Sequence, residues 1–285
     1  MIIQKIDGGL GNQLFQYAFG YATSLKLKEP FRYETHALHH RNRKFMLDKF
    51  CISSQELVLP YAKYNNKLWK LIAAIERRVI IRVFMLSKWI IEKPQDYYKY
   101  NSTYQKKNGK NQYYVGFYQN YQYFDKYAAE LKKEFRIKKE YLSEEVLNVV
   151  DKIKPLTTCS IHIRKGDYPE QWLVNPQYYI DAIELIENKY KISKFIVFCE
   201  NREYAEAVLP NSENIVYATD LGTMSDLDEF FLMSQTTHHI ISNSTFSWWA
   251  AYLGNHLDTS VVCPVTKMFI SSFYLPTWIK LNNEK

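Results

Sequence analysis

The 285-residue chain has no uninterrupted apolar run of the roughly 18 residues that a membrane-spanning helix needs. Its opening residues, Met1-Ile2-Ile3-Gln4-Lys5-Ile6, have the pattern of a strand, and no signal-peptide core follows them. A cytoplasmic location is therefore the expectation, with peripheral contact at the inner membrane face as a variant of it. Cysteine is scarce. The four cysteines, Cys51, Cys159, Cys199 and Cys263, lie far apart, the last three inside apolar runs. This favours reduced core thiols over a disulfide framework or a metal site. Neither paired zinc-finger ligands nor a ribonucleoprotein aromatic motif accompanies the formal charge of +7, so no nucleic-acid partner is expected. The charge itself does not choose between an anionic small molecule and an anionic membrane surface.

What is present is enough apolar sequence, 47% of residues, to bury a sizeable core in a chain long enough for two domains. An apolar segment at 2–6 passes through Asp7, Gly8, Gly9, Leu10, Gly11, Asn12 and Gln13 into a helical stripe of Leu14, Ala18, Ala22 and Leu25, a strand–turn–helix unit. Segment 63–93 alternates apolar clusters with Arg77, Arg78 and Arg82 and reads as helical, basic and amphipathic. Such a segment either attaches to an anionic membrane surface or packs with its charged faces in water; packing is the preferred reading. The tyrosine-rich stretch 97–127 reads as core and rim packing, with a sugar-stacking platform as the alternative. Further on, apolar strands at 159–163, 195–199, 215–218, 239–242 and 260–263 are separated by helical stretches, one capped by Asn175 before Pro176 and another closed by Gly254. That alternation predicts a parallel doubly wound sheet in the second half, with a ligand beyond the carboxyl ends of its strands. The expected domains are 1–150 and 151–285, each α/β.

Three constellations carry chemistry. In Ile161-His162-Ile163-Arg164-Lys165-Gly166-Asp167-Tyr168, the alternation of a strand puts His162 and Arg164 on one face, and the glycine permits a turn that presents Asp167. An arginine there can fork onto a diphosphate; the plain alternative is a salt-bridged strand end. In the second, Ser242, Asn243, Ser244 and Thr245 precede Phe246-Ser247-Trp248-Trp249, so hydroxyls and free backbone N–H groups converge where an anion is stabilised. A well-capped helix explains part of that pattern, yet four small polar residues exceed one cap. The third, Gly8 to Asn12, lacks the third glycine of a dinucleotide fingerprint and the Gly-Lys-Ser/Thr ending of an NTPase loop. Gly9 and Gly11 are read as letting backbone approach a ligand, with Asn12 pointing into the cleft. Asp226-Leu227-Asp228 matches the Asp-x-Asp of metal-dependent sugar transferases, but its place at the start of an apolar helix reads as helix capping. His238 and His239, being adjacent, face opposite ways along a strand and do not form a shared metal site.

These segments, with Gly116-Phe117-Tyr118-Gln119 followed by Tyr123-Phe124, and Leu232-Met233-Ser234 ahead of the Ser242 region, resemble the inverting α-1,2-fucosyltransferases of glycosyltransferase family 11 in order across nearly the whole chain. The resemblance implies an α/β fold of GT-B type, two facing Rossmann-like domains with a cleft between them. It implies transfer of L-fucose from a GDP-fucose donor to the 2-hydroxyl of a galactose-terminated glycan acceptor. The alternatives are another GDP-sugar such as GDP-mannose, or a nucleotide-sugar-binding protein without catalysis that docks on membranes through 63–93. It further implies that His162 meets guanine, that Arg164 holds the β-phosphate, and that Glu229 is the acidic residue reading guanine. Lys165 departs from the arginine common in the family and loses its bidentate fork. No cofactor and no metal is expected. Negative charge growing on the departing GDP falls to Arg164, Ser244, Thr245 and the helix start of the Asn243 segment, with Asp167 as the base.

Overall fold

The computed structural model describes residues 1–40, 43–58, 67–166, 169–254, 256, 258–267 and 269–283. They form two compact units, Met1–Arg136 and Ile137–Lys285.

In the first unit the order is β1 (Ile2–Lys5), α1 (Leu10–Leu27), β2 (Phe31–Glu34), α2 (His36–His40), β3 (Gln55–Glu56), α3 (Lys67–Val79), β4 (Ser87–Ile91), β5 (Asn111–Val115) and α4 (Ala128–Glu134). The strands make one parallel sheet in the order β3-β2-β1-β5-β4. Helix α1 follows from its apolar spacing: Leu14, Phe15, Ala18, Phe19 and Ala22 are all fully buried. It ends where Lys28 turns left-handed, at φ 54°, and donates its N–H to the carbonyls of Leu25 and Ser24. Phe19 stacks on Tyr118 at 3.8 Å and meets Tyr114 and Tyr123 edge-on, each at 5.1 Å. Tyr104, Tyr113, Tyr114, Tyr118 and Tyr123 of the tyrosine-rich stretch are thus core, while Tyr97 and Tyr100 are exposed. Tyr104, Tyr113, Tyr114 and Tyr123 are buried because each hydroxyl finds a partner, respectively Asp96, Glu34, the Tyr104 carbonyl and the Lys99 carbonyl.

Segment 63–93 is helical only in part. Residues 63–66 lie outside the described residues; α3 continues as a π-helical stretch, Ile80–Phe84, and Leu86 then adopts φ 48°. That turn stops the helix, and the strand-favouring run around Trp89, Ile90 and Ile91 pairs with β5 as the edge strand β4. The uniformly helical reading of this segment is therefore corrected.

The second unit runs α5 (Glu144–Ile153), β6 (Thr158–Ile163), α6 (Pro176–Lys189), β7 (Lys194–Cys199), α7 (Arg202–Val208), β8 (Ile215–Tyr217), α8 (Asp226–Ser234), β9 (His238–Ile240), α9 (Thr245–Leu253), β10 (Val261–Val265) and β11 (Ile279–Asn282). All six strands are parallel, in the order β11-β10-β9-β6-β7-β8. This is the strand order of a doubly wound nucleotide-binding sheet, and its direction reverses between β6 and β9. The five strands expected from apolar runs are present, and β11 is added to them. The units divide ahead of the 150/151 boundary read from the sequence because α5 packs on α8. Ser143 caps α5 through Val146 N–H and donates its own N–H to Asp228 at 2.9 Å.

Cys159 and Cys263 are buried thiols, and all four cysteines are free. His239 is fully buried, its Nδ1 facing Ser160 Oγ at 2.8 Å and Thr236 Oγ1 at 3.3 Å. His238 instead stacks on Tyr190 and accepts the Ser260 N–H at 3.0 Å. Among the described residues no group of histidine, cysteine and carboxylate side chains is arranged to hold a metal.

Burial, helped by the nearby His238 and His256, pushes the His239 pKa down to about 3. Between that value and the ordinary ~6.5, the unfolded chain takes up a proton that the folded one refuses. The resulting stability is complete above pH ~6.5 and is lost as pH falls, by up to about 1.4 kcal/mol per unit. Urea melts of His239→Asn are expected to show lower stability than the parent at pH 7.5 and a shallower loss between pH 6.5 and 4.5. Parallel pH slopes for the two proteins would contradict the assignment.

Candidate active site

The end of β6 and the segment after β9 meet at the point where the strand order reverses. The register pairs Ile161 with Ile240 on one side and with Val197 on the other, so the next residues of β6 emerge between the ends of β7 and β9. His162 is buried there, its Nδ1 2.9 Å from Ser242 Oγ and its ring 5.9 Å from that of Phe246. Burial first, and then the positive charge of Arg164, pushes its pKa down to about 3. The imidazole is therefore neutral at physiological pH and offers one ring donor and one ring acceptor.

Arg164 forms an ion pair with Glu200, the residue that follows β7. The register Ile163↔Cys199 makes the two neighbours across the strand ends. The salt-bridged strand end weighed in the sequence is real, and Glu200 is a site residue that the sequence reading missed. Gly166 sits at φ 35°, and a Cβ there would run into the Glu200 carboxylate. Lys165 turns toward α7, with its ammonium 4.3 Å from the centre of the Tyr204 ring. Asp167, the expected base, and Tyr168 lie outside the described residues.

After β9, each small polar residue has its own task. Ser242 holds His162. Asn243, buried, donates to the Trp172 carbonyl at 2.6 Å and so brings a half-exposed tryptophan, also unanticipated, beside the segment. Its Oδ1 has no hydrogen-bond partner, a deficit of a kind that calls for a functional account. Ser244 is the N-cap of α9, accepting the Phe246 N–H at 3.3 Å, and Thr245 is the first helical residue. The helix start thus directs backbone N–H groups and a partial positive charge toward the carboxyl edge of the sheet.

Glu229 lies in the first turn of α8, close enough to Cys199 at the end of β7 for its charge to raise that thiol's pKa. Burial, and then Asp226, pushes the Glu229 carboxyl up to about 7. Asp226 and Asp228 act as the helix-start residues expected. Ser225 and Asp228 form a reciprocal capping box, and Asp228 also accepts the Ser143 N–H.

At the end of β1, Gly8 adopts φ 82°, and a Cβ there would come within 2.7 Å of Asn12 Nδ2. A Cβ on Gly9 would touch nothing within 4 Å, which leaves room for close approach. Gly11 is buried in the first turn of α1. Asn12 is engaged rather than free-standing: its Oδ1 accepts from Gln119 at 2.7 Å. Gln16 ties the Asp7 N–H to the Gly116 carbonyl, so segments 8–17 and 116–119 are joined at the ends of neighbouring strands β1 and β5.

The sequence pattern of glycosyl transferase family 11 matches residues 1–282. The chain belongs to glycosyltransferase family 11. It is 30% identical to an α-1,2-colitosyltransferase of Escherichia coli, over 94% of this chain and 92% of that protein. It is 26% identical to galactoside α-(1,2)-fucosyltransferase 1 of Lagothrix lagotricha, over 59% of this chain and 51% of that one. Among solved structures, the α-1,6-fucosyltransferase NodZ from Bradyrhizobium, soaked with GDP-fucose, matches with a TM-score of 0.51 at 11% identity, covering 88% of this chain and 91% of NodZ. The two parallel sheets of this family 11 protein are the Rossmann-like halves of the GT-B type.

The Gly166–Glu200 contact is testable by a double-mutant cycle in urea. Gly166→Ala is expected to cost about 1–3 kcal/mol, and less in a Glu200→Ala background, a coupling of at least ~0.5 kcal/mol. Strict additivity would place the two residues apart.

Proposed function

We propose that this family 11 protein is an inverting α-1,2-fucosyltransferase that moves L-fucose from GDP-fucose to the 2-hydroxyl of a galactose in a glycan, without a metal ion. The observation that supports this most is the gathering of a neutral imidazole, a guanidinium and a hydroxyl-lined helix start at the reversal point of the second sheet. That set of groups suits a purine base linked to a diphosphate. The NodZ structure with the same fold was soaked with GDP-fucose, and a relative carries the galactoside α-(1,2)-fucosyltransferase name.

In this reading the acceptor hydroxyl attacks the anomeric carbon as the bond to GDP breaks, through an oxocarbenium-like transition state, and the configuration inverts. Negative charge grows on the β-phosphate. Arg164 exchanges Glu200 for the diphosphate, and Ser244, Thr245 and the N–H groups of α9 add donors. His162 meets the guanine, and ionised Glu229 accepts from its N–H groups. Asp167 takes the acceptor's proton. Gly9, Gly11 and Asn12 remain the candidate ligand contacts of the first unit.

A second donor is favoured by one observation, the colitosyltransferase among the relatives. Colitose is L-fucose without its 3-hydroxyl. A site that hydrogen-bonds that hydroxyl rejects the deoxy donor by roughly 10⁴-fold or more, whereas an apolar site separates the two only weakly. The deciding assay incubates the protein with GDP-fucose, GDP-colitose or GDP-mannose and galactose-terminated glycans, and identifies product and linkage. An α-1,2-fucosyl product is expected, in the presence of EDTA as well. Strict dependence on manganese would restore a catalytic role to Asp226 and Asp228. Arg164→Ala is expected to lower kcat about a hundredfold or more with its melting temperature retained. Near-normal turnover would remove Arg164 from the mechanism.

Guanine binding to the Glu229 carboxylate requires the ionised form. With its pKa near 7, GDP affinity should weaken as pH falls from 8 to 6, and the Glu229→Gln variant should bind weakly with a flatter pH profile. Calorimetric titration of GDP at several pH values tests this, and a variant that keeps parental affinity and slope would assign guanine recognition elsewhere.

A further inference from the structure

The first unit carries an exposed apolar stripe that its own fold does not use. Leu71, Ile75, Val79 and Val83 recur every fourth residue along α3 and its π-helical continuation, which places them on one side, and Leu86 extends the row. Leu71 is 58% exposed, Val83 60% and Leu86 67%. The opposite side of the same helix does the packing read from the sequence. Ala73 and Ile81 are buried, and Ile81 joins Ile3 of β1 and Tyr113 of β5 in a core cluster that Ile80, Met85 and Trp89 cover. Arg77 also faces inward, within electrostatic reach of Glu34 and Tyr113.

The outer side is predominantly basic. Arg78 and Arg82 are exposed and fall among the apolar residues of the stripe, and Arg82 lies over Trp89 at 4.9 Å. Lys88 and Lys93 are exposed just beyond, and Glu76 is the sole acidic residue in 67–91. An apolar row wide enough to enter an acyl boundary, interleaved with cations at headgroup level, is the pattern of a helix that lies in a membrane interface. Against a second copy of the same face, those arginines would meet arginines across a two-fold axis and repel.

We propose that this face docks the protein on an anionic lipid bilayer, lying in the interface without crossing it. No helix among the described residues is long and apolar enough to span a membrane. The apolar row supplies the burial, and Arg78 and Arg82 supply the preference for anionic headgroups.

The test is co-sedimentation of the full chain with vesicles of phosphatidylcholine alone or with 30% (about one lipid in three) phosphatidylglycerol. Binding is expected to the anionic vesicles only and to weaken in about 0.5 M salt, where the screening length falls to a few ångströms. Arg78→Gln with Arg82→Gln should weaken it about 25-fold, near fivefold for each charge removed. Leu71→Ser with Ile75→Ser should weaken it more than tenfold while circular dichroism and sugar transfer to a soluble acceptor stay at parental levels. Failure of the parent to sediment with anionic vesicles would overturn the proposal. So would unchanged binding by both double variants, or a concentration-dependent dimer lost in Leu71→Ser with Ile75→Ser in a chain that ignores vesicles.

Discussion

The site depends on a single constraint of the second sheet: β6 has β7 on one side and β9 on the other. Chain leaving β6 and chain leaving β9 must part company there, and the backbone groups that would otherwise pair open into a crevice at the carboxyl edge. That geometry is why His162 and Ser242, far apart in sequence, share a hydrogen bond. It is also why Arg164 reaches Glu200, one residue past the end of β7. The chemistry of the site is arranged by strand order before any side chain is chosen.

Electrostatics then sorts the roles. Two titratable groups within this edge, His162 and Glu229, are displaced from their ordinary states by the same cause, burial, with different results. His162 is held neutral, so it can act as a directional hydrogen-bonding group without adding repulsion to Arg164. Glu229 is raised to about 7, poised between a donor and an acceptor form. Beside them, Arg164 is ion-paired with Glu200. Any anion that binds Arg164 competes with that carboxylate, so the ion pair lowers apparent affinity for an anion while keeping the guanidinium from lying unpaired.

Much of this was legible in sequence, for physical reasons that differ by segment. Strands β7 and β10 are parallel and buried along most of their length, so they read as apolar runs, while β6 and β9 are equally buried but carry Ser160, His162, His238 and His239 among their apolar residues. Strand β5 hid among tyrosines whose hydroxyls pair within the core, which gives an apolar environment a half-polar sequence. Strand β4 hid behind a helix because only the left-handed turn at Leu86 separates them, and no glycine marks it. His162, Arg164 and Asn243 to Thr245 stand out in the sequence because each constellation is contiguous, and the fold brings them to one edge of the second sheet. Glu200 does not, since its partnership with Arg164 exists only through the pairing of Ile163 with Cys199. Trp172 was missed likewise, because only its backbone carbonyl marks the contact with Asn243.

The segments that resemble the family share a location as well as a sequence pattern. Residues 8–17 follow β1 and residues 116–119 follow β5, and those two strands are neighbours at the reversal point of the first sheet. Residues 162–166 close β6 and residues 242–249 follow β9, neighbours at the reversal point of the second. Leu232-Met233-Ser234 is the exception, and it ends α8, the helix packed on α9. Away from these places, sheets and helices tolerate any residues of suitable size and polarity, which is how a TM-score of 0.51 coexists with 11% identity to NodZ. At the reversal points the backbone must turn sharply and polar groups need specific partners, as Gly8, Gln16 and Gln119 show in the first unit and Gly166 and Ser242 in the second. Strand order leaves the least geometric freedom at these places, which are also where ligands bind open α/β sheets.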